Sequence, residues 1–253
     1  MILLRCYTLF MDILQQGARE LGINLTDEQV KKFSTYYQEL IEWNRKINLT
    51  AISGYEEVQI KHFLDSLTVA ACLKSVEPSP RGKLADIGTG AGFPGIPLAI
   101  TMPSLEITLI EATRKKTDFL HHIAGILSLD NIEVINARSE ELARNEKYRG
   151  KYDYVTARAV AELPALVEIA LPFCRVGGIF FAMKKGNIQE ELAETEGALA
   201  LLNGAVMDIK YQKTELFGDN RCLVVIKKTE DTPSKYPRRP GIPEKRPLKG
   251  GAN

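Results

Sequence analysis

Cysteine is scarce in these 253 residues, and the four present (Cys6, Cys72, Cys174 and Cys222) stand far apart with no C-x-x-C pair. That spacing argues against a disulfide framework. With only three histidines and none at ligand spacing, it also argues against a zinc site, so no metal is expected and a reducing cytoplasm suits the chain. No run of about 18 apolar residues occurs, so no membrane span and no membrane partner are expected. Neither charge sign dominates, with 33 Lys and Arg against 32 Asp and Glu, and no internal repeat is visible. Apolar residues are plentiful at 45%, enough for a sizeable core and too many for a disordered chain. At roughly 100–200 residues per domain, the length admits one large domain, or a medium one with an appendage.

The near-neutral total hides an asymmetry. From Lys227 to Asn253 there are 8 basic and 3 acidic residues, while the rest of the chain is mildly acidic. Five prolines between Thr232 and Pro247 favour extended, polyproline-like chain that does not pack as a core. This basic tail, over 229–253, is expected to meet a polyanion through Lys235, Arg238 and Arg239, or else to be a solvated terminus. At the other end, Arg5 interrupts the apolar residues Met1–Phe10 and no small-residue cleavage site follows. Residues 1–10 therefore read as an upstream or non-native extension, with Met11 as the functional start.

From Asp12 to Lys74 the pattern is helical. Thr26 and Gln29 form a capping box ahead of Val30, Phe33, Tyr37, Leu40 and Ile41, which share one helical face, and a further helix covers Glu56 to Leu73. The run Glu77-Pro78-Ser79-Pro80-Arg81-Gly82 then breaks the chain, which divides a helical cap over 11–80 from a second region over 81–228. There the strands Lys83–Ile87, Glu106–Ile110, Ile132–Asn136, Tyr152–Thr156 and Ile179–Met183 alternate with helices. Those helices are Gly95–Thr101, Arg114–Leu129, Ser139–Asn145, Ala161–Phe173 and one capped by Asn187. Val206–Gln212 and Cys222–Lys227 follow with no helix between them. Five β-α units imply a parallel sheet with right-handed crossovers, and the last pair an antiparallel hairpin. The fold class is doubly wound α/β, with a mostly parallel seven-stranded sheet behind a helical cap.

The most informative stretch is Asp86-Ile87-Gly88-Thr89-Gly90-Ala91-Gly92-Phe93-Pro94-Gly95, a strand running into a glycine-rich turn and then a helix. Ligands of such sheets bind beyond the carboxyl ends of the strands, and this turn is the usual place. The next strand ends at Glu111, 23 positions after Gly88, where a carboxylate can accept both ribose hydroxyls of an adenosine. A dinucleotide fingerprint would need glycine where Phe93 stands, and Asp86 beside the turn repels a pyrophosphate. No G-K-[ST] follows, which excludes a P-loop. A carboxylate there suits a ligand carrying an ammonium group, such as S-adenosylmethionine.

These residues resemble a known family, the RsmG (GidB) methyltransferases that act on small-subunit rRNA. The resemblance is carried by Trp43-Asn44-Arg45-Lys46-Ile47-Asn48-Leu49-Thr50, His62-Phe63-Leu64-Asp65-Ser66, Asp86–Gly95, Arg138-Ser139-Glu140-Glu141 and Ala157-Arg158-Ala159. It implies a class I, Rossmann-like methyltransferase that uses S-adenosylmethionine to methylate N7 of a guanine in 16S rRNA (guanine 527 in rRNA numbering). It implies that Gly88 and Phe93 meet the methionine end of the cofactor and that Glu111 lies near the ribose; Asp86 and Gly90, in the same turn, are also expected to bind the cofactor. Ser139, where the family more usually has alanine, and Glu140 would lie against the adenine, with Arg158 beside the transferred methyl. Lys184 takes the place of the family's lysine after the fifth strand, and Lys185 follows it, leaving open which of the two faces RNA. The implied partner is 16S rRNA or the small ribosomal subunit; the acting species is expected to be a cytoplasmic monomer.

The chemistry is consistent. Guanine N7 has an exposed lone pair and no proton, so its methylation needs alignment and no general base. The place after the fourth strand reads Thr156-Ala157-Arg158-Ala159, without the Asn-Pro-Pro-aromatic tetrad of amine methylation. Cys174 and Cys222 read as small buried residues, not nucleophiles. Other readings stay open: a nicotinamide-dependent oxidoreductase, or a non-catalytic RNA-binding protein with a degenerate pocket. Arg158 could be a sheet-edge ion-pair partner. His62 and Asp65 read as a pair bracing the cap, with a catalytic base as the alternative. Arg114, Lys115 and Lys116 are either a solvated helix start or a phosphate-binding rim. Trp43, Tyr36 and Tyr37 either pack in the core or stack bases.

Overall fold

The computed structural model describes residues 11–212 and 214–248; the expected extension over 1–10, with Cys6, lies outside the described residues. Helix α1 (Asp12–Glu20) precedes α2 (Asp27–Ile47), and the capping box forms as expected. Thr26 Oγ1 accepts from the N–H of Gln29 at 3.2 Å, and Gln29 Oε1 accepts from that of Thr26 at 3.0 Å. Helix α2 stops where Asn48 turns left-handed at φ 49°. Next, α3 (Tyr55–Val58), a π-helical turn (Gln59–Leu64) and α4 (Asp65–Val76) run on as one rod. Hydrophobic periodicity places this rod but does not reveal the wide turn within it. Such turns concentrate at functional sites, and this one carries His62.

Strands and helices then alternate: β1 (Gly82–Ile87), α5 (Gly95–Thr101), β2 (Leu105–Glu111), α6 (Arg114–Ile126), β3 (Ile132–Asn136), α7 (Ser139–Leu142), β4 (Tyr152–Arg158), α8 (Leu163–Ala170), β5 (Cys174–Lys185), α9 (Gln189–Leu202), β6 (Gly204–Tyr211) and β7 (Arg221–Lys228). A last short helix, α10 (Ile242–Lys245), lies in the tail. All seven expected strands are present. The sheet order is β3-β2-β1-β4-β5-β7-β6, and β7 runs antiparallel to both neighbours, as the helix-free final pair implies. β5 starts five residues before the expected strand, because the Gly177-Gly178 pair that reads as a breaker is accommodated at an irregularity in its pairing with β4. Strand order reverses between β1 and β4, and a cleft opens there at the strands' carboxyl ends.

Alternation along the strands splits the core in two. Leu84, Ile107 and Leu109 face the helical cap and share one cluster with Leu14, Phe33, Tyr36 and Phe63. Ala85, Ile87 and Val155 face the other way, into a cluster with α8 and α9. The 77–82 break does not divide these clusters, since the first holds residues from both sides of it. Trp43 packs on Phe119 and His122 at ring separations of 5.5 and 5.1 Å, so it is a core aromatic and not a free base-stacking platform. His122 is satisfied by Glu39 at 2.7 Å.

The expectation that the tail does not pack is corrected. Thr232, Tyr236 and Pro237 are buried, and Tyr236 belongs to the second core cluster. Arg149 donates to the carbonyls of Thr232 (2.7 Å) and Tyr236 (2.9 Å), supplying donors that the prolines lack. Arg238, expected to be free for a polyanion, grips the fully buried Glu168, while Lys235 and Arg239 remain exposed. Among the described residues, no helix is long and apolar enough to cross a membrane, and no group of three or more His, Cys, Asp or Glu could hold a metal ion.

Candidate active site

The turn after β1 is built from below by Asp86. Its carboxylate is fully buried, and Oδ2 accepts from Thr89 Oγ1 at 2.6 Å and from the N–H of Gly95 at 2.8 Å. Burial pushes this carboxyl up to about 7, against the pull of those two donors. Oδ1 is buried with no partner among the described residues. Asp86 therefore organises the turn from beneath and does not line the cavity above it. Gly88, Gly90 and Gly92 all take positive φ, which favours glycine. A side chain at Gly92 would meet Ile96 and the Tyr36 hydroxyl, whereas at Gly90 it would find no atom nearer than 4.0 Å. Space for a ligand therefore lies over Gly90.

A cavity of about 280 Å³ occupies that space, lined by Gly88, Gly90, Phe93, Glu111, Thr50 and Arg158 among others. Glu111 is buried at the end of β2, where Oε2 accepts from Gly90 N–H at 3.1 Å and Oε1 from Thr113 N–H at 2.7 Å. The structure thus brings together Gly88, Gly90, Phe93, Glu111 and Arg158. Ser139 and Glu140 lie just beyond, at the start of α7, where Ala137 N–H donates to the Glu111 carbonyl at 3.1 Å. Neither lines the cavity, and the Glu140 carboxylate points to the tail, accepting from Gly241 N–H at 2.9 Å. Leu49, Thr50 and Lys116 line the cavity and were not expected as cofactor contacts. Lys116 was legible only as one of three basic residues opening α6, and Arg114, exposed at the same place, pairs with Asp118 at 3.0 Å.

Arg158 ends β4 inside a mould made by the π-helical turn. One terminal nitrogen donates to the Lys61 carbonyl (3.0 Å) and Asp65 Oδ2 (3.1 Å), and the other lies 3.2 Å from His62 Nδ1. Its guanidinium carbon sits 4.9 Å from the centre of the Phe93 ring, which also stacks on His62 at 4.4 Å. Because Arg158 can only donate, His62 Nδ1 must accept, which leaves Nε2–H to reach Thr50 Oγ1 at 2.8 Å. Burial, with Arg158 beside it, holds His62 down to about 3. It is a neutral strut with its lone pair occupied, so the alternative of a catalytic base is withdrawn. Asp65 is shared: its Oδ1 lies 2.8 Å from Nη1 of Arg221, a buried arginine also held by Asp219. Arg221 was not anticipated, although a charged residue opening an apolar strand was a visible signal.

A second cavity, of about 500 Å³, meets the first at Arg158 and Ala159. Lys184, Lys185 and Arg221 line it on the β5 and β7 side, and glutamates of α9 together with Glu162 line it elsewhere. Lys184 is turned inward onto Glu191, and Lys185 is exposed beside Asp219 at 3.5 Å.

Two adjoining cavities at the switch point suit a cofactor and a second substrate, and comparison with known proteins names the family. The family model of GidB, rRNA small subunit methyltransferase G, matches residues 29–222. The chain belongs to the GidB family. A ribosomal RNA small subunit methyltransferase G from Pelotomaculum thermopropionicum is 49% identical over 237 residues, covering 94% of this chain and 98% of the relative. One from Dehalococcoides mccartyi is 49% identical over 241 residues, covering 94% and 100%. Among solved structures, the [4+2]-cyclase SpnF superposes with a TM-score of 0.51 at 14% identity, covering 66% of this chain and 81% of that one, a likeness of fold alone. As a GidB-family enzyme, the protein is an S-adenosylmethionine-dependent methyltransferase of small-subunit rRNA.

Proposed function

We propose that the double cleft methylates N7 of a guanine in 16S rRNA, with S-adenosylmethionine seated over Gly90. When bound, that cofactor supplies an electrophilic methyl group on a sulfonium sulfur. The residues suit it. The open side of Gly90 admits a ligand backbone, Glu111 offers its remaining lone pairs to ribose hydroxyls, and Gly88 and Phe93 border the place for the methionine end. Glu140 approaches the adenine through its main chain, since its carboxylate is engaged elsewhere, with Ser139 beside it at the start of α7. Asp86 acts indirectly, by holding Thr89 and Gly95.

The observation that supports the choice of N7 is that, among the described residues, the two that line both cavities are Arg158 and Ala159, neither of which accepts a proton. Asp65 beside them is held by Arg158 and Arg221, and the nearby His62 has its lone pair committed. A nucleophile that brings its own lone pair and loses no proton suits that junction, and guanine N7 is one. Arg158 orients the reacting groups, and Lys184 positions the base. Exposed Arg114, Lys115, Lys185, Lys235 and Arg239 are taken as phosphate contacts, while Arg238 leaves that set because Glu168 holds it. The acting species is read as a cytoplasmic monomer. Primer extension after aniline cleavage, on 16S rRNA from a strain lacking this protein, should show the loss of one N7-methylguanine stop. An unchanged pattern would overturn the reading.

A further inference from the structure

The second cavity carries a polarity that the methyl transfer itself does not need. On its β5 wall stands Lys184, whose ammonium donates to the Ala161 carbonyl at 3.1 Å and lies 2.5 Å from Glu191 Oε1. Glu191, on the first turn of α9, uses the same Oε1 to accept from the N–H of Leu163. Both side chains are largely withdrawn from solvent, with relative exposures of 13% for Lys184 and 20% for Glu191. Two of the three ammonium N–H groups are thus occupied and one remains. Among the described residues, nothing donates to Glu191 Oε2.

A free donor therefore sits beside a free acceptor on a pair already fixed in place. Guanine presents the complementary edge: O6, an acceptor, next to N1–H, a donor. Adenine presents the reverse there, an amino donor next to an N1 lone pair. A carboxylate facing N1 and an ammonium facing N6 would each meet its own kind, at a cost larger than a lost hydrogen bond. Placement agrees with this. Arg158 pairs in register with Met183, so Lys184 stands one residue beyond the junction, in the cavity that a base with N7 at the transferred methyl would enter. Glu162, Glu190 and Glu194 also line the cavity, but none is anchored by a main-chain N–H as Glu191 is.

We infer that the Lys184–Glu191 pair reads the O6 and N1–H positions of the target base, with Glu191 the residue that selects guanine over adenine. This inference rests on the reading of the enzyme as a guanine-N7 methyltransferase.

The test is single-turnover methylation, with enzyme in excess, of reconstituted small subunits carrying either guanine or 2-aminopurine at the target position. 2-Aminopurine keeps N7 but has neither O6 nor N1–H. Glu191→Gln is expected to slow methylation of guanine by about 10–100-fold without slowing that of 2-aminopurine, whose N1 lone pair the wild-type carboxylate repels, and with S-adenosylmethionine affinity unchanged. Lys184→Met, which removes the donor to O6, is expected to slow methylation of guanine more than that of 2-aminopurine. Rates on guanine within about twofold of wild type for both variants would overturn the inference. So would an equal fall on both bases, which is the signature of a merely structural pair. A wild-type enzyme that fails on guanine would instead overturn the underlying functional reading.

Discussion

Arg238 closes a two-armed ion pair on Glu168, a carboxylate with no exposed surface: Nη2 lies 2.6 Å from Oε2 and Nε 2.9 Å from Oε1. The basic C-terminal segment is therefore anchored by one of the residues that made it look like a free polyanion ligand. Removing one partner of such a pair leaves the other buried and uncompensated. Arg238→Met should cost about 3–5 kcal/mol in urea unfolding, and adding Glu168→Met should restore most of it. A single variant with the wild-type midpoint would show that the segment is not anchored there.

Asp86 gives the fold an unusual pH dependence. Its carboxyl is raised to about 7 in the folded protein against about 3.9 unfolded, so between these values the folded state binds the extra proton. This contribution is fully present below about pH 4 and is lost as pH rises to about 7. Asp86→Asn keeps an acceptor for Thr89 and Gly95 without the titration. The stability of the variant relative to wild type should rise across that window, by about 2–4 kcal/mol. A difference that stays flat with pH would show that Asp86 titrates normally.

His62 shifts in the opposite sense. It is held to about 3 when folded against about 6.5 unfolded, so its contribution is present above pH 6.5 and is lost as pH falls toward 3. His62→Gln should remove that acid-side slope from the wild-type stability curve. The single-turnover rate should show no ionisation between pH 6 and 8 that His62→Gln removes. A limb near 6.5 that disappears in the variant would return His62 to the role of a base.

Glu111→Ala should weaken S-adenosylmethionine binding by about 1.5–3 kcal/mol in titration calorimetry, with the far-ultraviolet circular dichroism unchanged. Part of that loss would come from Gly90 and Thr113, whose N–H groups the carboxylate now holds. Unchanged affinity would remove Glu111 from the site.

Strand identity, the final antiparallel pair and the Asp86–Gly95 turn were legible because they rest on local periodicity and glycine spacing. The fates of individual charges were not. Glu168 sits alone in an apolar helix, a visible sign that a cation must reach it, but nothing local says that this cation is Arg238, 70 positions away. Arg158 was legible as a charge at a strand end. Its mould was not, because the wide turn that presents Lys61, His62 and Asp65 leaves no mark on hydrophobic periodicity. Glu191 read as an ordinary acidic start to a helix, and only the folding of α9 against β5 sets it beside Lys184.

The hydroxyl of Tyr36 donates to the carbonyl of Ala91 at 2.5 Å, so a helix from the first third of the chain buttresses the glycine turn. Severing the backbone near Pro80 would therefore leave two fragments that each lack half of a shared interior. The ligand cleft would survive only while the pieces clung together. The helical segment is a wall of the reaction chamber, and heat should dismantle wall and chamber in a single step.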